Sequence, residues 1–238
     1  MDRDLSKVYA SMASTYAEHA ADSPYNAHYD RPSVLELCGE IAGLRILDAG
    51  CGPGLYAAEL VGQAARVVCF DASEPMVNLA RLILGSSAEV LHLNIGEVLP
   101  FDAGSFDLVL CALAIHYAND RLLAFKEFHR VLAPGGAVVL STQHPTTDWL
   151  RKGGSYFDVA IETDIWEREE GNWDVSFWRE PLTSLCAAIF HAGFLIERVV
   201  EPLPAESMRE RWPEHYEKLS QEPGFLVLRL LKRETLTK

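Results

Sequence analysis

Residues 44–71 read LRILDAGCGPGLYAAELVGQAARVVCFD, and this stretch decides the fold. It begins with a short, mostly apolar run, Leu44 to Leu47, bounded by Gly43 and Asp48, which is the pattern of a buried strand between turn residues. Glycines follow at every second position, Gly50, Gly52 and Gly54. Beyond them Leu55, Ala58, Leu60 and Val61 recur at helical spacing, and Arg66 to Phe70 make a second apolar run that ends in Asp71. Strand, glycine loop, helix, strand and acid together form half of a nucleotide-binding unit. Glycines let the backbone approach a ligand with no Cβ in the way. The helix start beyond them offers unpaired N–H groups. An acid about 20 residues on can accept hydrogen bonds from both hydroxyls of a ribose.

The glycine spacing separates two readings. A dinucleotide fold needs G-x-G-x-x-G, with the third glycine inside the helix. Here the spacing is G-x-G-x-G, within Asp48-Ala49-Gly50-Cys51-Gly52-Pro53-Gly54. That D-x-G-C-G-x-G form resembles the first motif of the class I S-adenosylmethionine-dependent methyltransferases. Further stretches resemble the same family in the same order: Asp71-Ala72-Ser73-Glu74-Pro75-Met76, Leu99-Pro100-Phe101 ahead of Ser105-Phe106-Asp107-Leu108-Val109, Arg130 to Gly136 (RVLAPGG), and Ala192-Gly193-Phe194 with Gly224 to Arg229.

The resemblance implies an α/β fold: a Rossmann-like, doubly wound sheet of seven mostly parallel strands, the last antiparallel. It implies S-adenosylmethionine as cofactor, S-adenosylhomocysteine as product, and a small-molecule acceptor methylated at O, N or C. For the cofactor it implies Asp48, Ala49, Gly50, Cys51, Gly52 and Gly54 in a loop under the methionine part. Asp71 would hold the ribose, with Ala72 beside it, and Met76 would lie on the adenine face. Asn94 and Ile95 follow the third strand and Ala112 the fourth. The family usually has Asp where Asn94 stands, and Asn still accepts through its carbonyl oxygen. The segment Ala13 to Arg31 resembles the family's N-terminal region, where a helix closes over the site and Tyr16, or Tyr9 on the same face, would cover the cofactor.

The 238 residues suffice for one α/β domain with a full core, and one domain over 1–238 is the expectation. Within it, 1–42 is a helical cap and 142–180 a lid or insertion after the fifth strand. Ser6 to Ala20 and Pro32 to Ile41 carry helical patterns, while Met208 to Leu219 reads as polar and variable. The insertion holds four of the five tryptophans, Trp149, Trp166, Trp173 and Trp178, and is expected to supply an aromatic wall.

The net charge of −13 opposes nucleic acid and anionic membrane surfaces, because a polyanion binder needs a basic patch. No apolar run approaches the roughly 20 residues of a membrane span. The five scattered cysteines, without metal-ligand spacing, and the lack of a signal-peptide pattern point to a cytoplasmic chain with reduced thiols, no metal, and a monomeric or homodimeric state.

Methyl transfer from an activated sulfonium forces no catalytic residue. A base serves only if the acceptor must lose a proton, and His116 and His144, after the fourth and fifth strands, are the candidates at the reactive edge. Two other classes share parts of the pattern: a nicotinamide oxidoreductase, and a protein that binds S-adenosylmethionine without catalysis. The missing third glycine and the L-P-F and P-G-G stretches oppose the first.

Overall fold

The computed structural model of the chain describes residues 7–168 and 171–233. The apolar runs become strands β1 (Arg45–Ala49), β2 (Arg66–Asp71), β3 (Ala88–His92), β4 (Phe106–Ala112) and β5 (Leu132–Gln143). A hairpin, β6 (Ala160–Arg168) and β7 (Gly171–Arg179), interrupts the alternation before β8 (Phe194–Val200) and β9 (Phe225–Lys232). Seven strands form one sheet in the order β3-β2-β1-β4-β5-β9-β8, while β6 and β7 pair only with each other. The pairs from β3 to β5 are parallel, and β9 runs antiparallel to both β5 and β8.

The helices are α1 (Lys7–Ala21), α2 (Arg31–Cys38), α3 (Leu55–Gly62), α4 (Glu74–Leu84), α5 (Arg121–Val131), α6 (Pro145–Lys152), α7 (Leu182–His191), α8 (Met208–Arg211) and α9 (Pro213–Gln221). Successive strand residues point to opposite faces, so the sheet feeds two cores. Leu47, Val109, Val138 and Leu228 pack with Phe125 and Phe128 of α5 on one face. Ile46, Leu108, Val139 and Val227 pack with Val34 of α2, Leu60 of α3 and Val77 of α4 on the other. With both faces covered, the central strands β1, β4 and β5 are mostly apolar rather than alternating. Gly54 brings α3 close to α4: its φ is +89°, and a Cβ there would stand 3.2 Å from the Ala80 backbone.

The structure sets three segments more closely than the sequence does. The fifth strand begins at Leu132, because Ala133 to Gly136 loop out between the Phe106–Leu132 and Leu108–Ala137 pairs. The second helix ends at Cys38 rather than Ile41, with Gly39 at φ +70° beyond it. Met208 to Leu219, polar in sequence, falls within α8 and α9, because Met208 and Leu219 are buried against Tyr29. Ser6, where the first helix was expected to start, lies outside the described residues. Among the described residues no helix is long and apolar enough to cross a membrane.

Candidate functional site

The glycine loop leaves β1 and is anchored at once. The N–H groups of Gly50 and Cys51 both donate to the Phe70 carbonyl at 2.9 Å. Gly52 N–H donates to Oδ2 of Asp71 at 2.8 Å, and Ser73 N–H donates to Oδ1 at 2.8 Å. One carboxylate therefore ties the loop to the start of α4. Each of its oxygens keeps a further lone pair for a ligand. Burial raises the Asp71 pKa above the usual carboxylate value, against the pull of those N–H groups.

The loop, the strand ends and the cap enclose a cavity of about 550 Å³ at the carboxyl edge of the sheet. This is the edge where ligands bind in open α/β sheets. The glycines there have different duties. A Cβ on Gly50 would lie 2.5 Å from Ala114 Cβ, so this position must be bare for the loop to pack on the segment after β4. Gly52 has φ +55°, and a Cβ there would meet nothing within 4 Å. Its bare face belongs to the cavity.

Of the residues singled out in the sequence, Gly50, Cys51, Gly52, Asp71, Ala72, Met76, Asn94, Ile95, Ala112 and Tyr16 line this cavity. Asp48, Ala49 and Gly54 do not. Asp48 is 1% exposed and accepts from the Ala57 N–H in the first turn of α3, while its Oδ2 has no partner. Burial, and secondarily the negative Asp71, push its pKa up to about 7.

The cover is tyrosine rather than tryptophan. Tyr9 and Tyr16 from α1 and Tyr117 after β4 line the cavity, and the hydroxyls of Tyr9 and Tyr117 are 2.6 Å apart. Burial pushes the Tyr16 phenol up to about 12. Trp166 of β6 packs behind them, 6.1 Å from the Tyr16 ring and 6.3 Å from the Tyr9 ring. None of the insertion's tryptophans lines the cavity, and of the expected aromatic wall Trp166 backs the tyrosines from outside.

The two histidines are also outside. His116 is 5% exposed, with Nδ1 3.1 Å from Thr142 Oγ1 and its ring against Tyr117 and Phe177. Burial, then the nearby Arg121, lower its pKa to about 3. His144 turns to Glu201, with Nε2 3.0 Å from Oε1. Neither lines the cavity.

Sequence reasoning missed Arg31, Asn26 and Tyr56, which line it beside the glycine loop. Arg31 donates to the Ala20 carbonyl at 3.0 Å, lies over Tyr56 at 5.4 Å, and has an Nε with no partner. One signal was available: Arg31 is the sole Lys or Arg between Val8 and Leu44. Among the described residues no group of His, Cys, Asp and Glu could hold a metal ion.

Comparison with known proteins agrees with this geometry. The methyltransferase domain family matches residues 47–140. A demethylmenaquinone methyltransferase of Staphylococcus epidermidis is 37% identical over 177 residues, covering 69% of this chain and 73% of that one. A malonyl-[acyl-carrier protein] O-methyltransferase of Erwinia billingiae is 31% identical over 146 residues, 58% of this chain, and the match spans only 53% of that protein's length. Among solved structures, an S-adenosylmethionine dependent methyltransferase from Mesorhizobium loti is 27% identical, with TM-score 0.66 over 84% of this chain and 96% of that one.

Proposed function

This chain belongs to the class I S-adenosylmethionine-dependent methyltransferases, and from that premise we propose how its cavity is used. The amino-acid end of the cofactor is held at Gly50 to Gly52, with Arg31 offering a cation to its carboxylate. Asp71 accepts from the ribose hydroxyls. Met76 and Ile95 flank the adenine, and Asn94 accepts from its amino group. Bound there, S-adenosylmethionine supplies a methyl already activated for in-line displacement.

The protein's part is to align and to exclude water. Tyr9, Tyr16 and Tyr117 close the chamber, and a small-molecule acceptor enters beneath them. The acceptor is not a nucleic acid, in keeping with the net charge of −13. His116 and His144 do not line the chamber, and neither is assigned as base.

The observation that carries this reading is the Asp71 carboxylate, fixed by two backbone donors at the cavity wall with lone pairs left over. Titration with S-adenosylhomocysteine and with NAD tests it. The first is expected to bind and the second not; tight NAD binding would reverse the assignment. Product release across a panel of O-, N- and C-acceptors then identifies the acceptor.

A further inference from the structure

Asp30 closes one turn of π-helix, Asn26–Asp30, immediately before α2. It stands at the N-cap position, where an Asp ordinarily accepts from the first turn of its own helix. It makes no such bond. Its side chain instead crosses to two other elements. Tyr56 of α3 donates to Oδ2 at 2.5 Å, and Ser141 of β5 donates to the same oxygen at 3.0 Å. The second oxygen, Oδ1, is buried without a partner, and the residue is 0% exposed. A buried acid with an unpaired oxygen lowers stability, so a capping or folding role does not account for it.

Ser141 leads onward. The Leu113 N–H donates both to the Ser141 carbonyl, at 3.0 Å, and to its Oγ, at 3.1 Å. Leu113 has φ +49°, a left-handed conformation rare for a branched side chain. Such strain persists only where surrounding bonds over-determine it, and it concentrates at functional sites. Leu113 and Tyr56 both line the cavity, on either side of the glycine loop, and Ala114 is the residue that Gly50 must be bare to admit.

We propose that Asp30 is a positioning residue for the amino-acid end of the donor site. One carboxylate oxygen sets the Tyr56 wall and the Leu113 turn at a fixed separation, with Arg31 presented alongside by the same backbone turn. This rests on the reading above that the glycine loop meets that end of the cofactor.

The test uses the full chain and two probes, S-adenosylhomocysteine and adenosine, which lacks the amino-acid end. Asp30→Ala is expected to weaken S-adenosylhomocysteine by about tenfold or more and adenosine by less than about threefold, as loss of a shared buried acceptor implies. Asp30→Asn retains a carbonyl acceptor and is expected to recover to within about threefold of the wild type. Ser141→Ala and its conservative partner Ser141→Thr carry the same comparison if Asp30→Ala does not fold. An unchanged affinity for S-adenosylhomocysteine would overturn the assignment, as would equal losses for both probes, which would make Asp30 a general structural residue. A wild-type chain that binds neither probe would instead remove the donor site itself and this assignment with it, so the two failures are distinguishable.

Discussion

The two ends of the sheet each pair an aspartate with a glycine-rich turn, and they differ in who satisfies the carboxylate. At the amino end Asp107, Gly135 and Gly136 line a second cavity of about 490 Å³. Arg45 engages it three times, from its backbone N–H at 2.9 Å to Oδ2, from Nε at 3.1 Å to Oδ2 and from Nη2 at 2.7 Å to Oδ1. That guanidinium lowers the Asp107 pKa. At the carboxyl end Asp71 has two backbone donors, and burial raises its pKa instead. A carboxylate neutralised by its own cation has little left to offer a ligand. One held in place by N–H dipoles and kept from water retains both its charge and its free lone pairs. The same motif elements thus make a structural clamp at one edge and a cavity wall with free lone pairs at the other.

The comparison can be broken most sharply at the glycines. Gly52→Val places a branched side chain in the cavity, and an affinity loss for S-adenosylhomocysteine on the order of 100-fold is expected. Gly135→Ala, at φ +73° with no neighbour within 4 Å of its Cβ, is expected to leave that affinity unchanged. Calorimetric titration of both variants decides whether the two turns differ in function.

The acids come next. Asp71→Ala removes charge-assisted hydrogen bonds worth about 1.5–3 kcal/mol, a loss of roughly 10- to 100-fold in affinity. If affinity for S-adenosylhomocysteine is unaltered, the ribose role falls.

Asp48 sharpens the comparison further, as a buried acid with no cation. Its folded pKa of about 7 lies above the usual carboxylate value, so protonation stabilises the fold. That contribution is complete below about pH 4 and is lost as the pH rises through 7. Asp48→Asn is therefore expected to gain on the wild type between pH 5 and pH 8, by about 2–3 kcal/mol in urea denaturation. A constant difference would contradict the burial argument.

The smallest effect belongs to Asp107→Ala. Its ion pair is partly exposed, at 32% for Asp107 and 43% for Arg45. A stability loss of about 1 kcal/mol or less, shrinking with added salt, is expected, with no change in ligand affinity.

Much of the fold was legible because its signals are local. The apolar runs, the glycine spacing and the Pro-Gly-Gly turn each act within a few residues, and β1 and β2 lie where their runs were read. Most of the loop-side site followed, since Gly52, Asp71 and Met76 are placed by the elements that carry them. Asp48, Ala49 and Gly54 belong to the same motif but stay off the cavity: Asp48 and Ala49 are buried at the end of β1 and Gly54 packs on Ala80, so only packing decides which part of the motif meets the cavity.

What the sequence by itself determined is a parallel sheet with a bare loop and an acid at its carboxyl edge, because positive φ and a buried strand are demands on single residues. What only the tertiary structure decided is which distant groups meet there. Tyr9 reaches Tyr117 across 108 positions, and Asp30 reaches Ser141 across 111. His116, apt as a base by position, is neutralised by burial against Thr142 and Phe177. Desolvation and hydrogen-bond partnership belong to the packed assembly, not to any stretch of chain, so the tyrosines at the cavity, Arg31 beside them and the absence of both histidines from its lining emerge only once the elements are folded together.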